Sequence, residues 1–375
     1  MPTLKYSKPR LPSSYYVLFE PPDSAGDEVL RFISERRRIK LKGHSFREFQ
    51  EYVMPLLDGR HSVEEIEDAV SDVFRPQDLE AALQLLADHN LLVDGLDAST
   101  APDEASALEP QANFFHEVSD DPRGAQARLR NATVTVMGLG AVGAPLALAL
   151  AATRIGAVRC VDALPVTPAD AYLAPMFSPA DVGSPRVDVV GGRITAAAPQ
   201  TRVTRHGNPL ESDADVADVV RGSDFVVCCV DAAQSSLIYK LNRVCLAEKI
   251  RWSSCAATAM EVIVGPTVVP GETPCYMCYK MRAVACADDP EADFAFQRLL
   301  DRRKQDDSGR RENLNVTAAI ASNLLGLEVV KLVSGVMPSP TVGRIVVFDL
   351  VDLSVTKHVV LRKPWCPACF AKGHE

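Results

Sequence analysis

The chain has 375 residues, and its 40 Lys and Arg against 49 Asp and Glu give a formal net charge of −9. A hydrophobic fraction of 47% excludes a wholly disordered chain, and the acidic balance argues against a nucleic-acid binder. Apolar runs such as Ala144 to Ala152 fall short of the roughly 18–20 residues of a membrane span, and no apolar signal core follows Met1. Ten cysteines without a signal peptide indicate a reducing compartment, so we expect a cytoplasmic protein that binds no membrane.

Residues 1–93 predict a small winged-helix-like domain with three helices and a little sheet. Its clearest strand is Arg38 to Lys42, where Ile39 and Leu41 alternate with Lys40 and Lys42 to give one buried and one basic face. Ser45 is expected to cap the first helix, and Ser62-Val63-Glu64-Glu65 is a capping box for the second. The third helix is predicted over Gln77 to His89, with Leu79, Leu83 and Leu86 inward.

Residues 94–113 are rich in Ala, Asp, Glu, Ser and Pro, and we interpret them as an acidic, solvated linker. Residues 114–375 then alternate strand and helix, which predicts a Rossmann-like, doubly wound α/β domain. Its first strand ends in Gly138-x-Gly140-x-x-Gly143, the turn that brings a phosphate to a helix N-terminus. Asp162 ends the next strand, where a carboxylate can bind a ribose hydroxyl. The alternative is that these glycines only allow the helix to pack on the strand.

Two C-x-x-C knuckles lie far apart in this domain and offer four thiolates to one tetrahedral metal ion. A closed four-thiolate site has no open position, so we expect a structural zinc ion that fastens the C-terminus to the sheet domain. The four predicted ligands are Cys275, Cys278, Cys366 and Cys369. Five further cysteines lie in apolar contexts and are expected in the core: Cys160, Cys228, Cys229, Cys245 and Cys255. Cys286 receives no role.

These features together resemble the ThiF/MoeB family, which is related to the ubiquitin-activating enzymes. The resemblance covers roughly residues 124–375 and implies adenylation of a C-terminal carboxylate with ATP, and a homodimer. It adds Arg186 and Asp231 to the nucleotide site, at the positions of the family's Lys and of the Asp in its Asp-Asn pair.

Several positions depart from the family pattern. Leu164 replaces an Asp, Asp170 replaces an Asn, Leu173 replaces the phosphate-binding Arg, and Ala232 replaces the Asn after Asp231. Adenylyl transfer needs cations on the phosphates, and Asp170 would add repulsion. We therefore expect a vestigial site that binds ATP weakly or not at all, and no catalytic residue.

The N-terminal unit resembles the PqqD-like peptide-recognition domains of ribosomal-peptide biosynthesis, through the basic strand, the Leu41–Phe46 turn and the Leu56–Gly59 segment. Together with a degenerate ThiF-like domain, it resembles the leader-peptide-binding partner of YcaO-type cyclodehydratases in azole-forming systems. The resemblance implies a non-catalytic scaffold that captures a precursor peptide and presents it to that ATP-dependent enzyme. An active adenylating enzyme is the main alternative; a nicotinamide-dependent oxidoreductase and a DNA-binding winged helix are weaker ones.

A free strand edge can bind an extended peptide as a further strand, and the strand Arg38 to Lys42 fits that role. Lys40 and Lys42 would attract a leader with an acidic residue at every second position. The third helix would form the other wall of the groove. Its predicted groove-side residues are Gln77, Glu80, Gln84 and Ala87. The alternative is that strand and helix only complete a small fold.

Overall fold

The computed structural model describes residues 6–22, 26–95, 102–229, 235–302 and 314–370. The chain divides into two units, Met1–Ala125 and Gln126–Glu375. Each of them has a hydrophobic core of its own.

The smaller unit contains two antiparallel sheets. Strand β1 (Pro9–Arg10) pairs with β5 (Val93–Asp94). Strands β2 (Tyr16–Glu20), β3 (Glu28–Ile33) and β4 (Arg38–Gly43) form a sheet in the order β2-β3-β4. Strand β4 therefore lies at an edge of its sheet, and its residues alternate between outward and inward faces as the sequence predicted.

Three helical segments pack on this sheet. Helix α1 (Phe46–Glu48) continues as a π-helix over Phe49–Val53 and a 3₁₀ turn over Met54–Leu56. Helices α2 (Val63–Val70) and α3 (Pro76–Asp88) follow. The Ser62 capping box is confirmed, and Leu79, Leu83 and Leu86 of α3 are buried.

The prediction that Ser45 caps the first helix was wrong. Ser45 adopts a left-handed conformation with φ of 60° and makes no side-chain cap bond. The Glu28 carboxylate accepts the N–H groups of Phe46 and Arg47 instead. A carboxylate from the neighbouring strand thus satisfies the free donors of this helix start.

The segment predicted as an acidic linker is helical from Pro102 onward. Helix α4 spans Pro102–Val118, and α5 spans Pro122–Asn131. Glu109 of α4 accepts hydrogen bonds from Arg10 and Ser13 of the same unit. Ala, Glu and Gln favour a helix even without a strong apolar stripe, and the Glu109 contacts anchor it.

The larger unit has an eight-stranded sheet, in the order β13-β12-β11-β10-β9-β6-β7-β8. The five strands from β10 to β8 are parallel, and β11, β12 and β13 extend the sheet in antiparallel pairs. The strands are β6 (Thr133–Met137), β7 (Ala157–Val161), β8 (Arg202–His206), β9 (Phe225–Cys228), β10 (Trp252–Ala257), β11 (Glu261–Val264), β12 (Arg344–Asp349) and β13 (Val355–Val359).

The helices of this unit follow the strand-helix alternation that the sequence predicted. They are α6 (Gly143–Ala152), α7 (Pro168–Leu173), α8 (Arg186–Ala197), α9 (Asp213–Val220), α10 (Ser235–Glu248), α11 (Tyr276–Ala285), α12 (Pro290–Arg302) and α13 (Asn315–Ser334), with a 3₁₀ turn over Pro179–Asp181. The parallel sheet places the glycine turn and the end of β7 at the same edge, which positions the predicted nucleotide site.

Helix α13 corrects the expectation that no segment is long and apolar enough for a membrane span. It has 20 residues and an 18-residue window with mean hydropathy of 1.6, of which half is buried. It packs against α6, β10 and β11. Its buried Glu328 pairs with Lys331 and accepts a hydrogen bond from Ser339. These contacts give α13 the surroundings of a core helix.

Candidate functional sites

The two cysteine knuckles meet, although Cys275 and Cys366 are 91 positions apart. The Sγ atom of Cys275 lies 3.9 Å from that of Cys278 and 3.7 Å from that of Cys366. The Sγ atoms of Cys278 and Cys369 are 3.6 Å apart. A tetrahedral zinc ion with Zn–S bonds of about 2.3 Å requires sulfur pairs about 3.8 Å apart. The four predicted ligands therefore lie in the right geometry to hold zinc.

Local structure fixes this arrangement. Cys275 immediately precedes α11, and the Asn242 side chain accepts the N–H of the next residue, Tyr276. The backbone N–H of Lys363 points to the Cys278 sulfur at 3.4 Å. Burial raises the pKa of the Cys275 thiol to about 11, so a cation is what would hold it as a thiolate at neutral pH.

The remaining cysteines are placed as predicted. Cys160, Cys228, Cys229, Cys245 and Cys255 are buried, and Cys286 is exposed. Burial raises the pKa of Cys160 and of Cys255 to about 12, so neither is a reactive thiolate at neutral pH.

The glycine turn has the shape that the motif predicts. Gly138 has φ of 86°, and a Cβ on Gly143 would lie 1.8 Å from the Gly138 carbonyl oxygen. Asp162, at the end of β7, accepts the N–H of Leu139 at 2.7 Å and that of Leu164 at 2.8 Å. The carboxylate expected on a ribose is thus bonded to the turn itself.

Arg186 joins this carboxylate to a second one. Its Nη1 donates to Asp162 at 3.1 Å, and its Nη2 and Nε donate to Asp170 at 2.7 and 3.1 Å. All three side chains are buried. The sequence predicted that Asp170 would repel a phosphate, but its charge is balanced by Arg186. Asp231 and Ala232 lie outside the described residues.

Leu173 closes the site from another side. This residue, which the sequence analysis aligned with a phosphate-binding Arg, is only 4% exposed. It packs in one apolar cluster with Ala141 and Val142 of the glycine turn and Ala318 of α13. Leu173 therefore makes an apolar contact at the side of the glycine turn.

A cavity of about 470 Å³ lies between β4 and α3 in the smaller unit. Its walls are mainly apolar, with His44, Ser45, Glu48 and Asp78 as the polar groups. The apolar lining residues are Leu30, Leu41, Phe46, Phe49, Val73, Phe74, Ala82, Leu85 and Leu86.

Only part of the predicted groove surface lines this cavity. Leu41 of β4 does; Lys40 and Lys42 alternate with it and lie on the opposite, outer face of the sheet with Arg38.

On α3, the lining residues are Asp78, Ala82, Leu85 and Leu86, and the predicted groove residues Gln77, Glu80, Gln84 and Ala87 do not line this cavity. The Gln84 side chain donates a hydrogen bond to the Asp88 carboxylate at 2.7 Å. Leu85 is apolar, 37% exposed and outside the buried stripe of α3. An apolar residue at such a position in the sequence could have indicated the cavity-lining side of the helix.

Comparison with known proteins gives one family. The ThiF family profile matches residues 108–368. The molybdopterin-synthase adenylyltransferase of Escherichia coli is 25% identical over 65% of this chain and 89% of its own length. The sulfur carrier protein adenylyltransferase of Thermus thermophilus is 26% identical over 66% of this chain and 85% of its own.

Solved structures extend the likeness to the whole chain. E. coli MccB, described as a microcin C7 biosynthetic enzyme and solved in complex with N-formylated MccA, superposes with a TM-score of 0.67. It is 16% identical and covers 96% of this chain and 99% of its own. PaaA superposes with a TM-score of 0.62 and is 22% identical, over 76% of this chain and 92% of its own. Since the family profile spans more than half of the residues, the chain belongs to the ThiF family.

Proposed function

We propose that this protein binds the leader region of a ribosomally made precursor peptide and presents it to a YcaO-type, ATP-dependent cyclodehydratase for azoline or azole formation. It does so without adenylating a substrate itself. The domain proposed over residues 1–93 recognises the leader, and the domain over 114–375 is a scaffold held together by structural zinc. The observation that carries the proposal is an edge strand, β4, beside an apolar cavity.

The hydrogen bonds of the β3–β4 hairpin define which backbone groups of β4 face outward. The Ser34 N–H donates to the Arg37 carbonyl at 2.9 Å, so this pair closes the hairpin. Bonded and non-bonded pairs alternate along antiparallel strands, and the register pairs Arg38 with Ile33 and Lys40 with Arg31. The backbone groups of Arg38, Lys40 and Lys42 therefore point to the free edge.

An added peptide strand would present its side chains to two different environments. Residues opposite Lys40 and Lys42 would lie on the basic outer face, where acidic side chains are favoured. The residue opposite Leu41 would point to the inner face, toward the apolar cavity. The preferred leader segment thus has an apolar residue between two acidic ones.

The nucleotide site supports a role without adenylation. Arg186 is bonded to two carboxylates, and Leu173 covers the glycine turn, so the phosphates of ATP would lack the cations that adenylyl transfer requires. The likeness to MccB, solved with MccA bound, supports a fold that accommodates a bound partner. The buried cysteine thiols and the four candidate zinc ligands are consistent with the reducing conditions of the cytoplasm.

Peptide binding by the full-length protein tests the proposal. A fluorescein-labelled peptide in which Glu and Leu alternate should bind, and a peptide of the same composition with its residues in two blocks should bind at least tenfold more weakly. Ala82→Trp fills the cavity and should abolish binding. Ala81→Trp, on the exposed side of α3, should leave it intact. Equal binding by both variants would refute the groove.

Charge is tested with a matched pair. Lys40→Glu should weaken binding severalfold, since exposed charge pairs contribute about 0–1 kcal/mol each and reversal adds repulsion. Arg60→Glu makes the same charge change in the same unit, outside β4, and should have little effect. Equal weakening by both would assign the effect to net charge alone.

The second candidate function is an adenylating enzyme that acts on a peptide or carrier-protein carboxylate. The adenylyltransferase names of the relatives favour it. ATP–pyrophosphate exchange with the full-length protein and candidate peptides separates the two. Sustained exchange that requires a peptide would replace the scaffold proposal.

A further inference from the structure

Helix α4 is held to the smaller unit through one polar face. Glu109, Asn113 and His116 are four and three positions apart, so their side chains share one side of the helix. The Glu109 carboxylate accepts hydrogen bonds from Arg10 at 3.0 Å and from Ser13 at 2.8 Å. The Asn113 amide donates to the Ser13 hydroxyl at 2.9 Å. Hydrogen bonds therefore fix this face at two of its three positions.

His116 is the third position, and it is buried without such bonds. The residue is 1% exposed, and neither ring nitrogen has a hydrogen-bond partner in the described chain. Its ring packs edge-on against Tyr15, with ring centroids 5.8 Å apart and an angle of 81° between the planes. Burial raises the pKa of the Tyr15 phenol, so that group stays neutral. A proton added to His116 would thus create a charge that no neighbour is placed to accept.

Two arginines add to the cost of that charge. Arg10 and Arg37 both oppose a positive charge on the imidazole of His116. Arg10 is already paired with Glu109 on the same face, and Arg37 lies 3.9 Å from Asp120, which follows the helix. The two cations therefore belong to the docked arrangement of α4.

The groups that face the ring act in opposite directions. Burial opposes the charged form first, and Arg37 and Arg10 add to it, whereas Glu117 and the Asn90 backbone favour the charged form. The opposing effects prevail and lower the pKa of His116 below its ordinary value of 6.5. The docked helix thus favours the neutral ring.

We propose that protonation of His116 releases α4 from the smaller unit, so that the docking of this helix is a pH-sensitive switch. An imidazole in water takes up a proton near pH 6.5, whereas the docked ring stays neutral. The stability of docking is therefore fully present above pH 6.5, and it is lost as the pH falls below that value, by up to about tenfold for each pH unit. The switch uses neither the cavity nor the nucleotide site, so it stands independently of the proposed function.

Amide hydrogen exchange of the full-length protein measures the release. Because α4 contains Pro110, it has little helical stability of its own, and its amides exchange when it leaves the fold. Exchange rates corrected for their intrinsic pH dependence give the protection of each segment. Between pH 7.5 and pH 5.5 the protection of α4 should fall severalfold, up to about tenfold, while that of β6 and β7 stays unchanged.

Substitutions separate the titration from the packing. His116→Phe keeps an aromatic ring on Tyr15 and has no titrating nitrogen, so the protection of α4 should become nearly constant over this pH range. His116→Gln is a second variant that cannot titrate, and it should also give constant protection. His358→Gln removes an exposed histidine of β13 and should keep the wild-type pH dependence. Constant protection of α4 in the wild type, or an undiminished loss of protection in both His116 variants, would overturn the proposal.

Discussion

Arg186 offers a direct test of the buried ion pairs that occupy the nucleotide site. Its side chain is 2% exposed, between Asp162 and Asp170, which are 3% and 0% exposed. Arg186→Met keeps much of the side-chain length and removes the charge. Both carboxylates then stay buried without their cation.

The expected loss is large. Three hydrogen bonds disappear, and removing one partner of a buried ion pair costs about 3–5 kcal/mol. In a domain of roughly 250 residues, 1 kcal/mol corresponds to about 2–4 °C in Tm. The Tm of the larger unit should therefore fall by roughly 6–20 °C.

A second substitution should recover much of that loss. Adding Asp170→Leu to Arg186→Met removes one uncompensated charge, while Asp162 keeps the N–H groups of Leu139 and Leu164. The double variant should regain at least half of the lost stability.

Thermal and urea unfolding, followed by circular dichroism at neutral pH, measure these effects. Arg193→Met is the control, because its pair with Asp181 is partly exposed and contributes about 0–1 kcal/mol. The reasoning fails if Arg186→Met costs no more than Arg193→Met, or if the double variant is as unstable as Arg186→Met.

Three further outcomes are expected. Cys278→Ser should lower the zinc content from one ion per chain and reduce Tm, because metal binding is coupled to folding. Cys286→Ser is the control and should match the wild type in elemental analysis. Equal zinc content in the two variants would contradict the proposed site. Leu173→Arg should reduce the free energy of unfolding, since it places a charge in an apolar cluster. The variant should not catalyse ATP–pyrophosphate exchange. Measurable exchange would show that the Leu173 side chain alone prevents the reaction with ATP. Hydrogen bonds from Ser62 lower the pKa of Glu65, so the Glu65 carboxylate contributes stability above the ordinary Glu pKa of 4.5, and this stability is lost as the pH falls through the lowered pKa. Glu65→Gln should therefore weaken the loss of the free energy of unfolding at acidic pH, measured by urea unfolding at several pH values. An unchanged pH dependence would refute this.

The sequence was most informative where spacing dictates chemistry. The knuckles at Cys275 and Cys366 predicted a closed four-sulfur site, because few other arrangements use such pairs. The Ser62 box bonds to its own neighbouring backbone, and the Gly138 turn is marked by closely spaced glycines, so short segments suffice to predict both.

Prediction was weaker where the partner lies on another element. Nothing near Ser45 in the sequence shows that Glu28 caps its helix. Nothing near Asp170 shows that Arg186 balances its charge. The α3 residues that line the cavity were not predicted, because the sequence does not show how the helix is oriented in its packing, and so Leu85 was missed.

The basic outer face of β4 also bears on solubility. An open strand edge is a template on which another copy can pair and aggregate, and lysine is the residue that most effectively prevents this. Two copies of β4 brought edge to edge would place their Arg38, Lys40 and Lys42 rows side by side, and the like charges would repel. The exposed edge can therefore stay open to an acidic peptide at high protein concentration while it rejects itself.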